Sequence, residues 1–98
     1  MLLEIAVIPV KPGMESDFEA RVRRAAPLFQ RAKGCTALSL HRSHEAPSRY
    51  RLFVQWETLA SHRDFCASAD HEEWRKLIVP CFAGPPEVEH VSEVLRGF

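Results

Sequence analysis

His62 is the residue best suited to proton transfer, because of its place on a predicted helix. At about 100° per residue, the helix predicted near residues 59–69 gathers Leu59, Phe65 and Cys66 on one side, with His62 in the middle of that apolar arc. An imidazole ionises near neutral pH, with an ordinary pKa of about 6.5, which suits a general base. An inward-facing histidine can equally be an interior residue hydrogen-bonded to the backbone. The sequence leaves both roles open.

Motifs for metal binding, nucleotide binding or covalent catalysis are missing from the sequence. His41, His44 and His90 lack zinc-like spacing with a cysteine. Neither a Gly-rich phosphate loop, nor a dinucleotide fingerprint, nor a nucleophile motif is present. We therefore expect no metal and no bound cofactor. The three cysteines are odd in number, which favours a reduced, cytoplasmic protein over a secreted disulfide framework.

Hydrophobic periodicity predicts the elements that position these residues. The predicted strands cover residues 3–10, 35–42, 50–56 and 88–95, and the predicted helices cover 14–32, 58–69 and a short segment of 70–80. Phe18 belongs to the apolar stripe of the first helix. Pro27 is expected to kink or divide that helix, because proline removes a helical hydrogen bond. Gly34 is expected to end it.

This order of elements predicts an α+β protein with the ferredoxin-like βαββαβ topology. A four-stranded antiparallel sheet would carry the helices on one face. The other face is expected to be apolar, presenting Ile5, Val7, Leu38, Leu40, Val54 and Val91, or their alternates. Because a large exposed apolar face is a liability in water, we expect a second copy to close over it as a homodimer.

Length and composition limit the protein's class. Its 98 residues are enough for one domain, spanning 1–98, and too few for two. Thirteen Lys and Arg balance thirteen Asp and Glu, which argues against a nucleic-acid binder and against docking to an anionic membrane. No apolar run approaches the ~20 residues of a membrane helix. The first ten residues include Glu4 and Pro9 and are typical of a strand rather than a signal peptide.

Four segments together resemble the antibiotic-biosynthesis monooxygenase family of dimeric α+β barrels. They read VKPGMESDFEARV, GCTALSLHR, YRLFVQWETLASHRDFCAS and PEVEHVSEV, and they cover nearly the whole chain. The most specific pieces are the Lys-Pro-Gly turn, the Gly34-Cys35 strand start, and Trp56-Glu57-Thr58 followed by His62. The resemblance implies a dimeric barrel with a ligand cavity between the sheet and the helices of each subunit.

The resemblance also implies a catalytic set of His62, Trp56 and Arg75. Aromatic-oxidising members of the family have a tyrosine at the position of His62, and they carry an arginine in the region of Arg75 and Lys76. They have an asparagine four residues before the tryptophan, where this chain has Leu52. Trp56 is otherwise a core residue, and Arg75 is otherwise a solvated residue paired with neighbouring glutamates.

The same resemblance implies which residues line the cavity and whether the chain binds haem. The expected substrate-binding residues are Leu52, Phe65, Trp74 and Phe18, of which Trp74 also fits a plain core position. Haem-degrading members have an iron-binding histidine and a first-strand asparagine, and the matching positions in this chain are Arg75 and Ala6. Arginine does not ligate iron, so haem is not expected.

Three functions remain open at this level. The first is a cofactor-independent monooxygenase that oxidises a small aromatic phenol or quinol with O₂. The second is an isomerase or lyase acting on a small carbonyl compound through the same histidine. The third is a ligand-binding dimer without catalysis.

Overall fold

The computed structural model describes all 98 residues and contains eight elements. In chain order these are β1 (Leu2–Pro9), α1 (Glu15–Gln30), β2 (Cys35–Arg42), β3 (Arg49–Trp56), α2 (Leu59–Cys66), α3 (Ala69–Ile78), a 3₁₀ turn (Val79–Cys81) and β4 (Glu87–Val91). The predicted α+β class and the βαββαβ order are confirmed. The second helical region consists of two helices, because Ser68 caps a new helix by accepting a hydrogen bond from the backbone N–H of His71.

The four strands form one antiparallel sheet in the order β2-β3-β1-β4. This is the ferredoxin-like arrangement, with β1 and β3 in the centre and β2 and β4 at the edges. The register brings Glu4 between residues of both neighbouring strands. Glu4 of β1 lies directly opposite Val54 of β3 on one side and His90 of β4 on the other.

The helices cover one face of the sheet and form the core with it. Phe18 of α1 packs on Tyr50 of β3, with ring centroids 4.9 Å apart, and Phe65 of α2 packs on Trp56 at 5.6 Å. Trp74 of α3 meets Phe29 of α1 edge-to-face at 4.9 Å. Strand residues on this face alternate with outward-facing ones, as the period-two geometry of a strand requires.

Pro27 does not divide α1, which was one of the two effects expected of it. The helix runs unbroken to Gln30, four residues before Gly34. Pro27 is exposed and lies in the last turns of the helix, so the backbone carbonyl that loses its intrahelical partner can bond to water. Packing of Phe29 against α2 and α3 holds the final turn in place. Gly34 makes the turn into β2 with a positive φ of 84°.

The helix-free face is less apolar than expected. Ile5, Val7 and Phe53 lie on it, but Leu38, Leu40 and Val54 belong to the helix-covered side, where they join or pack against the core. Because Trp56 and Val54 take the inner positions of β3, the outer positions carry Arg49, Arg51, Phe53 and Gln55. The outer face is therefore mixed, with an apolar strip along β1.

Strand β4 is shorter than expected and ends at Val91. Its five residues are all exposed, since β4 is an edge strand that the helices do not cover. No helix combines the length and apolar character that crossing a membrane requires.

Candidate active site

A cavity of about 310 Å³ lies between the inner face of the sheet and helices α2 and α3. Its floor is apolar and comes from Ala6 and Ile8 of β1 and Leu52 of β3. Trp74 and Ile78 of α3 form an apolar wall. Four polar side chains also line the cavity, namely Glu4, His62, His71 and Arg75.

Glu4 is the buried acid of this cavity. Only 6% of its surface is exposed, and its Oε1 accepts a hydrogen bond of 2.9 Å from Nε1–H of Trp56. The same oxygen lies 3.2 Å from Nε2 of His62. Oε2 of Glu4 has no hydrogen-bond partner in the chain, and it keeps some exposed surface, because every fully buried polar side-chain atom is paired. Glu4 lines the cavity. The free oxygen is therefore positioned to meet a ligand.

His62 is held on three sides by protein groups. Its ring stacks on the indole of Trp56, with centroids 5.0 Å apart and an interplanar angle of 21°. Nε2 lies 3.2 Å from Oε1 of Glu4 without the alignment of a hydrogen bond, and Nδ1 forms a 2.7 Å hydrogen bond with Nε2 of His90. The side chain of Thr58 caps the start of α2 by accepting a hydrogen bond from the backbone N–H of Ser61. This cap fixes the first turn of the helix, which carries His62.

Burial perturbs the pKa values of both groups. It raises the pKa of Glu4, although the hydrogen bond from Trp56 opposes the rise. Burial lowers the pKa of His62 to about 4, and the charges of His90 and His71 act in the same direction. A carboxylate 3.2 Å away favours a protonated imidazole, but loss of water is the larger effect when the two side chains are only 12% and 8% exposed. His62 is therefore neutral near pH 7.

His71 and Arg75 are polar residues on α3 at the side of the cavity. Burial and the guanidinium charge of Arg75 lower the pKa of His71. The His71 ring meets Phe65 edge-to-face at 5.6 Å. Arg75 is exposed, so its charge reaches both the cavity and solvent. The chain contains no group of three or more His, Cys, Asp or Glu side chains arranged to hold a metal ion.

The structure brings together four of the seven predicted site residues. His62, Arg75, Leu52 and Trp74 line the cavity directly. Trp56 and Phe65 lie behind the lining, where Trp56 is fully buried and reaches the cavity through its hydrogen bond to Glu4. Phe18 lies away from the cavity, in the core beside Tyr50.

Glu4, His71 and His90 were not identified as site residues from the sequence. Glu4 carried a usable signal, because it is the only charged residue in β1 and shares the inner face with Ala6 and Ile8. A lone acid in the buried register of a strand is unusual unless it has partners. His90 carried no such signal, since its contact with His62 depends on the pairing of β4 with β1.

A family model and a curated relative match most of the chain. Residues 1–77 match the family model described as antibiotic biosynthesis monooxygenase. The uncharacterised protein YczJ of Bacillus subtilis is 37% identical over 95 residues, which cover 96% of this chain and all of YczJ.

Solved structures show the same fold. A Bordetella bronchiseptica protein, provisionally named an antibiotic biosynthesis monooxygenase, is 58% identical with a TM-score of 0.94, covering 96% of this chain and 97% of that one. A point mutant of SnoaB, described as a cofactor-independent oxygenase from Streptomyces nogalater, has a TM-score of 0.85 at 17% identity, covering 98% of this chain and 95% of that one. At that identity the likeness establishes the fold alone.

Proposed function

This chain belongs to the antibiotic biosynthesis monooxygenase family, and from that membership we propose that it is a monooxygenase that oxidises a small aromatic phenol or quinol with O₂. The reaction would use no resident cofactor, as in SnoaB, a cofactor-independent oxygenase that shares the fold. The observation that carries the proposal is a mostly apolar cavity lined by one buried carboxylate, of which one oxygen has no hydrogen-bond partner in the chain.

The size and walls of the cavity support a small aromatic substrate. A volume of about 310 Å³ lies at the low end of the ~300–1,000 Å³ typical of ligand pockets. The walls are mostly aliphatic and aromatic, with Trp74 offering an indole surface for a flat ring. Such walls exclude water, which strengthens the electrostatic interactions inside.

Glu4 is the proposed base, rather than His62 itself. One ring nitrogen of His62 is hydrogen-bonded to His90 and the other lies 3.2 Å from Glu4, and a pKa of about 4 makes His62 a weak base. Glu4 has a free oxygen and a raised pKa, which makes its carboxylate a stronger base than an exposed one. His62 and Trp56 then position the carboxylate.

The oxidation balances without any further reagent. The phenolic O–H bond breaks and its proton moves to Oε2 of Glu4. The phenolate passes one electron to O₂, and the resulting superoxide and aryloxyl radical combine to form a C–O bond. The peroxide takes the proton back from Glu4. Cleavage of the O–O bond, with loss of the ring hydrogen, releases water and leaves a quinone carbonyl.

Arg75 supports the anionic stage of this reaction. Its positive charge at the side of the cavity favours a phenolate over a neutral phenol. Leu52 contributes only apolar surface, since it is 1% exposed and carries no polar group. Orientation of the substrate therefore depends on Glu4 and Arg75.

Oxygen uptake with a panel of hydroquinones and naphthols tests the proposal. We expect uptake by the wild type and a loss of about 10²- to 10⁴-fold in kcat for Glu4→Gln, because the amide cannot accept the proton. Glu57→Gln is the matched control, since Glu57 is exposed and outside the cavity. Wild-type uptake that survives in Glu4→Gln would rule out Glu4 as the base, and no uptake with any substrate would rule out the oxygenase.

The buried carboxylate also favours a second candidate, proton abstraction next to a small carbonyl group by an isomerase or lyase. A carboxylate base in an apolar site beside a cationic side chain fits enolisation as well as phenol ionisation. Deuterium exchange at the α-carbon of candidate ketones, measured by NMR under nitrogen, separates the two. Exchange without oxygen uptake supports the isomerase, and binding without either reaction supports a non-catalytic dimer.

The proposed assembly is a homodimer closed over the helix-free face. Ile5, Val7 and Phe53 are only half-buried there. The C-terminal segment also exposes apolar side chains that have no cover in the chain, namely Val94 at 97%, Leu95 at 85% and Phe98 fully. Because the three cysteines are unpaired, the proposal places the protein in the cytoplasm.

Sedimentation equilibrium tests the dimer. We expect twice the chain mass for the wild type and the chain mass for Phe53→Glu, because a charge would be buried without a partner. Gln30→Glu adds the same charge at an exposed end of α1 and should stay dimeric. A wild type that is monomeric at high concentration would contradict the proposal.

A further inference from the structure

His90 is the only residue of β4 whose hydrogen bond reaches the histidine beside the proposed base. The register of β1 and β4 places His90 directly opposite Glu4, on the same side of the sheet. From there its Nε2 lies 2.7 Å from Nδ1 of His62, with ring centroids 4.9 Å apart. Val88 precedes it on that face and Glu89 points to the other side. The result is a chain of three groups from solvent through His62 to Glu4.

The three groups constrain where the protons lie. A neutral imidazole carries one N–H and one lone pair. When Glu4 is a carboxylate, its negative oxygen 3.2 Å from Nε2 of His62 favours the partial positive charge of an N–H at that nitrogen over a lone pair, although the two groups are not aligned as a hydrogen bond. A proton on Nε2 leaves Nδ1 as an acceptor, so Nε2 of His90 must be the donor. The reverse arrangement fits only a protonated Glu4.

We propose that His90 is a positioning residue for the base, because it donates to Nδ1 of His62 and so holds the tautomer whose Nε2–H lies beside the carboxylate of Glu4. This inference rests on the proposed function in assigning Glu4 as the base. His90 touches no substrate in this scheme and acts through His62. It keeps Glu4 ionised in a site where burial favours the neutral acid.

The other side chains near His62 do not select its tautomer. His71 on α3 adds to the lowering of the pKa of His62 without bonding to its ring. Trp56 fixes the plane of the ring by stacking, but a stacked indole does not choose between the two tautomers. The hydrogen bond from His90 is the one contact that distinguishes the two ring nitrogens on the solvent side.

NMR of protein labelled with ¹⁵N in the histidine rings tests the tautomer directly and needs no substrate. At neutral pH we expect His62 to carry its proton on Nε2 in the wild type and in His90→Gln, whose amide can donate in the same way. In His90→Ala we expect a mixture of tautomers. Glu89→Ala, on the same edge strand but the opposite face, should behave as wild type. A proton on Nδ1 of His62 in the wild type, or an unchanged pattern in His90→Ala, would overturn the proposal.

A second measurement follows the carboxyl group of Glu4 by ¹³C NMR across pH. Loss of a favourable Nε2–H should raise the pKa of Glu4 in His90→Ala, and kcat at acidic pH should then fall by up to about ten-fold with little change in KM. His90→Gln should restore both. If no substrate turns over, the proposed oxygenase function is rejected, but the two NMR measurements still test the role of His90. A pKa of Glu4 that does not change in His90→Ala would overturn the positioning role.

Discussion

The neutrality of His62 predicts that this protein loses stability in acid through one residue. An ordinary histidine has a pKa of 6.5, whereas burial lowers that of His62 in the folded chain to about 4. Between these two values the unfolded chain binds a proton that the folded chain does not, so the free energy of unfolding falls as the pH falls. At ~1.4 kcal/mol per pKa unit, the loss from pH 7 to pH 4 is about 3 kcal/mol.

Glu4 has the opposite effect on the pH dependence of the free energy of unfolding, so it must be present in both of the proteins that are compared. Its pKa is raised, so its contribution to stability is present at low pH and is lost as the pH rises through the folded pKa. The comparison therefore uses His62→Gln, which keeps Glu4 and similar volume but cannot ionise. The amide introduced by His62→Gln also offers an N–H beside Glu4, so the contribution of Glu4 is similar in the two proteins and largely cancels.

Urea unfolding at pH 7 and pH 4, at one fixed protein concentration, measures the effect. We expect the wild type to lose about 3 kcal/mol more than His62→Gln between the two pH values. His44→Gln, in the exposed hairpin loop, should lose as much as the wild type. Equal losses in wild type and His62→Gln would refute the burial of a neutral imidazole and, with it, the geometry of the site.

Two further predictions concern the backbone around the site. Gly34→Ala should lower the free energy of unfolding by more than ~2 kcal/mol, because φ at this residue is +84° and an added Cβ would lie 2.7 Å from Cβ of Ser61. Gly13→Ala should lower it by only ~1–2 kcal/mol, because Gly13 has a φ of +95° but open space around it, so the cost is conformational strain alone. Urea unfolding of the two variants isolates the clash, and equal losses would contradict it. Pro27→Ala should raise the free energy of unfolding by about 1–2 kcal/mol, because it restores a helical N–H for the carbonyl of Arg23; a thermal unfolding midpoint that fails to rise would show that the helix is already relaxed around proline.

The fold could be read from the sequence because its signals are local. The alternation of Leu52, Val54 and Trp56 with polar residues indicates a strand, and the stripe of Phe18, Val22 and Ala25 indicates a helix. Each pattern depends on residues within a few positions of one another. The local pattern did not decide whether Pro27 divides its helix, because that outcome depends on exposure and packing.

Half of the site was also within reach of the sequence. Helical periodicity alone turned His62 toward the sheet, and family resemblance pointed to Trp56 and Arg75. Periodicity gives the direction of a side chain from its own helix, but it does not say which atoms the side chain meets. The role first expected of His62, as the base itself, depended on that missing information.

The choice of Glu4 as the proposed base depends on tertiary structure. Glu4 and His62 are separated by most of the chain, and His90 comes from the last strand; only the pairing of β1 with β4 and the packing of α2 bring the three together. Their pKa values follow from the loss of water in that packed arrangement, a property of the assembled interior that no local pattern encodes. The sequence alone determined a sheet, its helices and an inward-facing imidazole, because local geometry is enough for those. The acid–base assignment needed the assembled fold, because it depends on distances and burial between distant segments.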